Sequence, residues 1–192
     1  MKVNTAILIL CFLFVSCDSP APKQNGSGKT AGEDSQSPRG TGIWQNEIYT
    51  DEFGQTSDRD CIRNRDLIAG SFSNVAKTSA PLNVRFLIFN PNSISLQLFE
   101  NAGNTPVKAL TPQGYTVTID DADGAEHKVK AVNYSDKVAY EKTDAGIVHE
   151  ILMKGGRVQF SIAGDFNATT RYQFTIDNAT GYDAAFRNLT QK

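Results

Sequence analysis

Cysteine, histidine and tryptophan are scarce in this 192-residue chain: three Cys, two His and one Trp. The cysteines stand at 11, 17 and 61, so there is neither a disulfide framework nor a C-x-x-C metal knuckle. His127 and His149 are far apart and lack an i, i+4 partner. A zinc site needs three or four ligands, and none can be assembled from these residues. Cys61 lacks an evident base to activate it, and Gly70-Ser71-Phe72 lacks the second glycine of a nucleophile elbow. Charge of one sign is also missing. A net charge of −2 gives no electrostatic footprint for nucleic acid or an anionic lipid surface. No apolar run reaches the roughly 20 residues needed to cross a bilayer as a helix. Asn25–Thr30 (NGSGKT) ends like a phosphate loop, but Lys23 stands where the first glycine belongs and no apolar strand precedes it. No nucleotide, metal or other cofactor is read from the chain.

What is present begins with a targeting segment. Lys2 is followed by a ten-residue apolar run, Ala6–Val15, of the length of a signal-peptide core. Phe14-Val15-Ser16-Cys17 resembles the lipobox of bacterial lipoproteins, with Phe where Leu is usual. That resemblance implies cleavage after Ser16 and acylation of Cys17, which would anchor the chain to a membrane. Residues 17–42 form a polar linker with Pro20, Pro22 and Pro38 and no large apolar side chain, a composition expected to remain disordered. The expected organisation is therefore a signal peptide over 1–16, a lipidated Cys and linker over 17–42, and one domain over 43–192.

The domain is rich in strand signals. Leu67–Phe72, Ser93–Phe99, Tyr115–Asp120, His127–Asn133, Arg157–Ala163 and Arg171–Asp177 are candidate strands, most of them alternating. Asn83–Asn90 (NVRFLIFN) is apolar on both faces, as a central buried strand is. Trp44–Tyr49 is a shorter, mixed strand. Asp121-Ala122-Asp123-Gly124 supplies turn chemistry, so 115–133 reads as a hairpin. Its aspartates lack the spacing of an EF-hand loop. Thr143-Asp144 can cap a helix with Ile147, Val148, Ile151 and Leu152 on one face, ended by Gly155-Gly156. A second helix places Tyr182, Ala185, Phe186 and Leu189 together. The expected fold is mainly β: an antiparallel β-sandwich with two short helices, with an open β-barrel as the alternative.

From Trp44 onward the chain resembles a group of uncharacterised lipoproteins of Bacteroidetes gut bacteria. The resemblance rests on YTDEFG (Tyr49–Gly54), GSFSNVAKTSAPLNVRFLI (Gly70–Ile88), NYSDKV (Asn133–Val138), ILMKGGRVQFSI (Ile151–Ile162) and GYDAAFRNL (Gly181–Leu189). The order of elements is more distantly similar to envelope accessory proteins associated with type VI secretion and to invasion-locus proteins. The Cys pair of some of those relatives is absent here. These likenesses imply a lipid-anchored protein of the bacterial cell envelope, on the periplasmic or an outer-membrane face, without a transferable active site.

Two functions follow as expectations. The first is a non-catalytic binding or structural accessory module, held at the membrane by lipid on Cys17 and meeting an envelope protein or glycan. The second is a small glycan-binding or glycan-active enzyme or inhibitor. It would use an acidic-aromatic loop carrying Trp44, Tyr49, Asp51, Glu52 and Asp58, with Asp60 beside them.

Overall fold

The computed structural model describes residues 40–51, 54–165 and 169–191. The signal segment, Cys17 and nearly all of the 17–42 linker lie outside the described residues, as does Glu52. None of the described helices is long and apolar enough to cross a membrane.

Ten strands and two helices follow in the order β1 (Trp44–Thr50), β2 (Thr56–Asn64), β3 (Ile68–Ser73), β4 (Ala80–Asn90), β5 (Ser93–Glu100), β6 (Ala109–Asp120), β7 (Glu126–Ser135), β8 (Lys137–Tyr140), α1 (Lys142–Lys154), β9 (Val158–Gly164), β10 (Arg171–Ile176) and α2 (Tyr182–Thr190). Every strand pair is antiparallel. The sheet runs β4-β3-β10-β9-β6-β7-β8-β5, and β5 pairs back onto β4. The strands therefore close into an eight-stranded barrel, not the expected sandwich. Alternation cannot separate the two, because both need one inward and one outward face per strand. Closure removes the free edges that a sandwich would leave.

The inward faces build one core. Val84, Phe86 and Ile88 of β4, Ile94, Leu96 and Leu98 of β5, and Val117, Ile119, Phe160, Ile162, Tyr172 and Phe174 of the facing strands are all buried. Phe160 and Phe174 stack with centroids 4.7 Å apart, and Phe86 meets both edge-on. The outward Leu87 of β4 is also buried, so this strand is apolar on both sides as its sequence suggested.

The β1–β2 hairpin is attached to β4. β3 pairs with the first half of β4, while β2 reaches it at Ile62↔Ile88. Between them the ladder is interrupted at Asn64, and the buried Asn64 amide bridges the gap. Its Nδ2 donates to Val84 O (3.0 Å) and Asp66 O (2.7 Å), and its Oδ1 accepts from Phe86 N (2.7 Å). One side chain thus replaces the missing backbone partners of β4. The segment holding Asp58 and Asp60 is part of strand β2, where a loop was expected.

Both helices close one end of the barrel. α1 begins where β8 ends: Glu141 N donates to Lys130 O (3.3 Å), and Asp144 Oδ2 accepts from Lys130 N (2.6 Å). Asp144 thus caps an edge of β7, while Glu141 occupies the helix N-cap without a side-chain bond. Ala145, Val148, Ile151 and Leu152 enter the core. The helix stops at Gly155, whose φ of 73° suits glycine. Its far end is tied to the β6–β7 turn by Asp121. The Oδ1 atom of Asp121 accepts from Asp123 N and Ala125 N, and Oδ2 faces Lys154 Nζ (2.9 Å) and His127 Nε2 (3.1 Å). α2 packs on α1 through His149, whose Nδ1 lies 2.9 Å from Tyr182 Oη. Gly181 starts α2 at φ 97°, where a Cβ would lie 2.5 Å from the Thr41 carbonyl carbon.

Candidate functional site

Among the described residues no helix crosses the other end of the barrel. There β5 ends at Glu100, β6 begins at Ala109, β9 ends at Gly164 and β10 begins at Arg171. A cavity of about 600 Å³ opens between these strand ends. This is within the range of small-molecule sites.

The floor is aromatic. Tyr115 and Tyr172 line the cavity, and both are buried. The Tyr172 hydroxyl donates to Glu100 Oε1 at 2.9 Å. Burial, and then the Glu100 charge, raise the pKa of this phenol, so it stays protonated and remains a donor. Glu100 forms no ion pair with another described residue.

The wall contains an orphan. Asn133 shares the inward face of β7 with Val129 and Ala131 and is only 4 % exposed. The residue lines the cavity, while its Oδ1 is buried and has no hydrogen-bond partner among the described residues. Leaving a buried acceptor unsatisfied costs about 1–3 kcal/mol.

The rim is set by irregular backbone. The β6–β7 register slips between Ala109 and Gln113, around Pro112, which has no N–H to offer a ladder. Leu110 in this bulge is fully exposed at the mouth. On the opposite rim Asp165 accepts from Thr116 Oγ1 (2.7 Å) and Lys130 Nζ (3.2 Å), and these bonds hold its carboxyl below the usual range. Gly114 leaves room for it, since a Cβ there would lie 2.8 Å from Asp165 Oδ2. Asp165 is already neutralised, whereas Glu100 is not.

The described residues singled out from the sequence, Trp44, Tyr49, Asp51 and Asp58, belong to the β1–β2 hairpin and do not line this cavity. Trp44 is fully buried. Its indole N–H donates to Ala179 O (3.0 Å), and its ring meets Phe86 and Tyr182 edge-on. It is a core residue closing the helical end, with no face open to a ligand. Tyr49 lies on the outer face, edge-on to Phe89, and accepts from Lys137 Nζ at 2.5 Å. Asp51 closes the β1–β2 turn by accepting from Gln55 N (2.8 Å), and Asp58 is exposed on β2. Cys61 is buried, and burial pushes its thiol up to about 11, which leaves it protonated and unreactive. Among the described residues no cluster of His, Cys, Asp or Glu could hold a metal ion.

The cavity residues carried a signal that strand phase exposes. Ile94, Leu96 and Leu98 point inward, and Glu100 is next in the same phase, opposite the inward Leu82. Asn133 follows Val129 and Ala131 in the same way. A polar residue at a core phase near a strand end is the mark of this site.

The fold and site define a class: an eight-stranded antiparallel barrel, plugged by two helices at one end and open at the other onto a polar cavity. Compared with protein-family models, curated proteins and solved structures, the chain matches none of them.

Proposed function

We propose that this is a lipid-anchored protein of the bacterial cell envelope, held to a membrane through Cys17, with a non-catalytic binding role exerted at the open barrel mouth. The observation that supports the binding role is the cavity of about 600 Å³ at the barrel mouth, lined by Glu100, Lys108, Asn133, Asp165 and the two tyrosines Tyr115 and Tyr172. The tyrosine rings and the polar lining of mixed charge suit a small polar molecule or the end of a glycan. The lipobox-like FVSC and the polar segment after it support the anchored reading.

A ligand-observed NMR screen of small polar molecules against the full chain tests the binding role, with Thr170→Trp as a variant that fills the cavity. Binding by wild type and its loss in Thr170→Trp are expected. Binding that survives in Thr170→Trp would place the site elsewhere and overturn the proposal. Fractionation tests the anchor: Cys17→Ala should move the chain from the membrane to the soluble fraction.

A further inference from the structure

The outer wall beside the β1–β2 hairpin has its own chemistry, independent of the barrel mouth. Strand alternation turns Arg85, Leu87 and Phe89 of β4 away from the core, and Phe99 of β5 with them. β2 adds Arg59 and Arg63 on that side, while Asp58 and Asp60 alternate to the other face. Leu87 and Phe99 are buried although they point outward. Cations lie over the rings: Arg85 over Phe99 (5.4 Å to the centroid), Arg59 over Phe89 (4.6 Å) and Lys137 over Tyr49 (4.8 Å). Lys137 Nζ also donates to Tyr49 Oη at 2.5 Å, although β8 and β1 stand at opposite ends of the run β1-β2-β4-β5-β8. In a flat sheet those two strands would lie about 19 Å apart, more than the two side chains span together, so the face is concave. Arg63 is paired with Glu47 (2.5 Å), and Lys137 lies 3.8 Å from Asp136 Oδ1. Arg85 differs. It is half-buried and forms no ion pair or side-chain hydrogen bond with another described residue. Burial, and then the like charge of Arg63, lower its pKa. Stacking on Phe99 fixes the guanidinium plane and leaves its N–H fork for an anion.

We infer that this concave face docks an acidic segment of a partner protein, with a carboxylate of that segment held by the Arg85 guanidinium. The planar fork of Arg matches a carboxylate with two parallel N–H···O bonds. Arg, Tyr and Phe are enriched at protein–protein interfaces, whereas Lys is depleted, and arginine supplies most of the cations here. A concave face does not lie flat on a lipid surface. The attraction is local, because the whole chain carries a net charge of −2 and offers a polyanion no general pull.

Fluorescence anisotropy of a labelled hexaglutamate peptide against the full chain is the test, with Arg85→Gln and, as a charge control, Arg157→Gln. Arg157 is exposed just before β9, which lies across the barrel from β5. Saturable binding by wild type is expected, at least tenfold weaker in Arg85→Gln and within twofold of wild type in Arg157→Gln. Arg85→Lys keeps the charge without the fork and should also bind weakly. Circular dichroism checks that Arg85→Gln is folded. If it is not, Arg59→Gln on the same face is expected to weaken binding at least threefold, and unchanged binding there overturns the inference. Absence of binding by wild type, or equal weakening in Arg85→Gln and Arg157→Gln, overturns it too. Phosphatidylglycerol vesicles are the second probe. Binding to them that depends on Arg85, without binding of the peptide, would make the surface a lipid site and overturn the protein partner.

Discussion

Asn64 and Asp121 show how single polar side chains hold this barrel together. Asn64 is buried because β4 changes neighbour from β3 to β2 at that point, and a strand cannot leave its N–H and C=O groups empty there. Asn64→Ala strips partners from Val84 O and Phe86 N and should cost about 2–4 kcal/mol, from one to two unsatisfied buried groups. Urea denaturation measures this, and a loss under about 0.5 kcal/mol would mean water replaces the amide. Asp121 acts through charge. Its bond to Lys154, then those to Ala125 N and His127, hold its carboxyl far below the ordinary range. A depressed folded pKa gives stability that is complete above the unfolded value near 3.9 and lost as pH falls through the acid range. Asp121→Asn should therefore flatten stability against pH between about 5 and 2. Parallel curves for wild type and variant in that window would refute the role.

At the scale of elements, the two helices depend on one titratable contact. His149 joins them through Tyr182 Oη, and its ring packs on Phe186 at 4.6 Å. Burial holds its pKa below the ordinary 6.5, with Glu150 partly opposing. The unfolded chain thus takes up a proton more readily than the folded one. The stability this contact contributes is present above pH 6.5 and lost progressively below it. His149→Gln can keep a bond to Tyr182 and should remove the pH dependence of unfolding between about 7.5 and 5.5, read by thermal melts. Strand and helix positions were legible wherever an apolar period was long, as in NVRFLIFN and in α1. β2 was missed because TSDRDCIRN shows its apolar residues only at Cys61 and Ile62, near one end. β8 is only four residues long, too short for a period to emerge. Closure into a barrel depends on β4 pairing with both β3 and β5, which no local pattern encodes. Trp44 drew attention as an aromatic beside acidic residues, yet its phase in β1 turns it into the core. The true cavity residues, Glu100 and Asn133, were legible only once strand phase was known to continue to the strand ends.

For the molecule as a whole, the two ends of the barrel differ in packing, although each holds one buried polar atom without a partner among the described residues, Asn133 Oδ1 and Tyr140 Oη. The plugged end is ring-packed: Trp44, Phe86, Phe160 and Phe174 meet edge-on or stacked, and the Trp44 indole has its acceptor, although the buried Tyr140 hydroxyl there has no partner among the described residues. Phe86→Ala there should cost about 3–5 kcal/mol through lost burial and a cavity among rings that cannot collapse. The open end carries an unsatisfied acceptor, so replacing it with an apolar group of similar size removes a penalty. Asn133→Leu should stabilise the unliganded protein by about 1–3 kcal/mol. Function maintained at the expense of stability gives this opposition of sign, because a side chain selected only for packing would lose stability when changed. Urea unfolding of the two variants beside wild type is the measurement. Both midpoints falling together would mean Asn133 supports the core like Phe86, and that the barrel mouth is merely a loosely packed end.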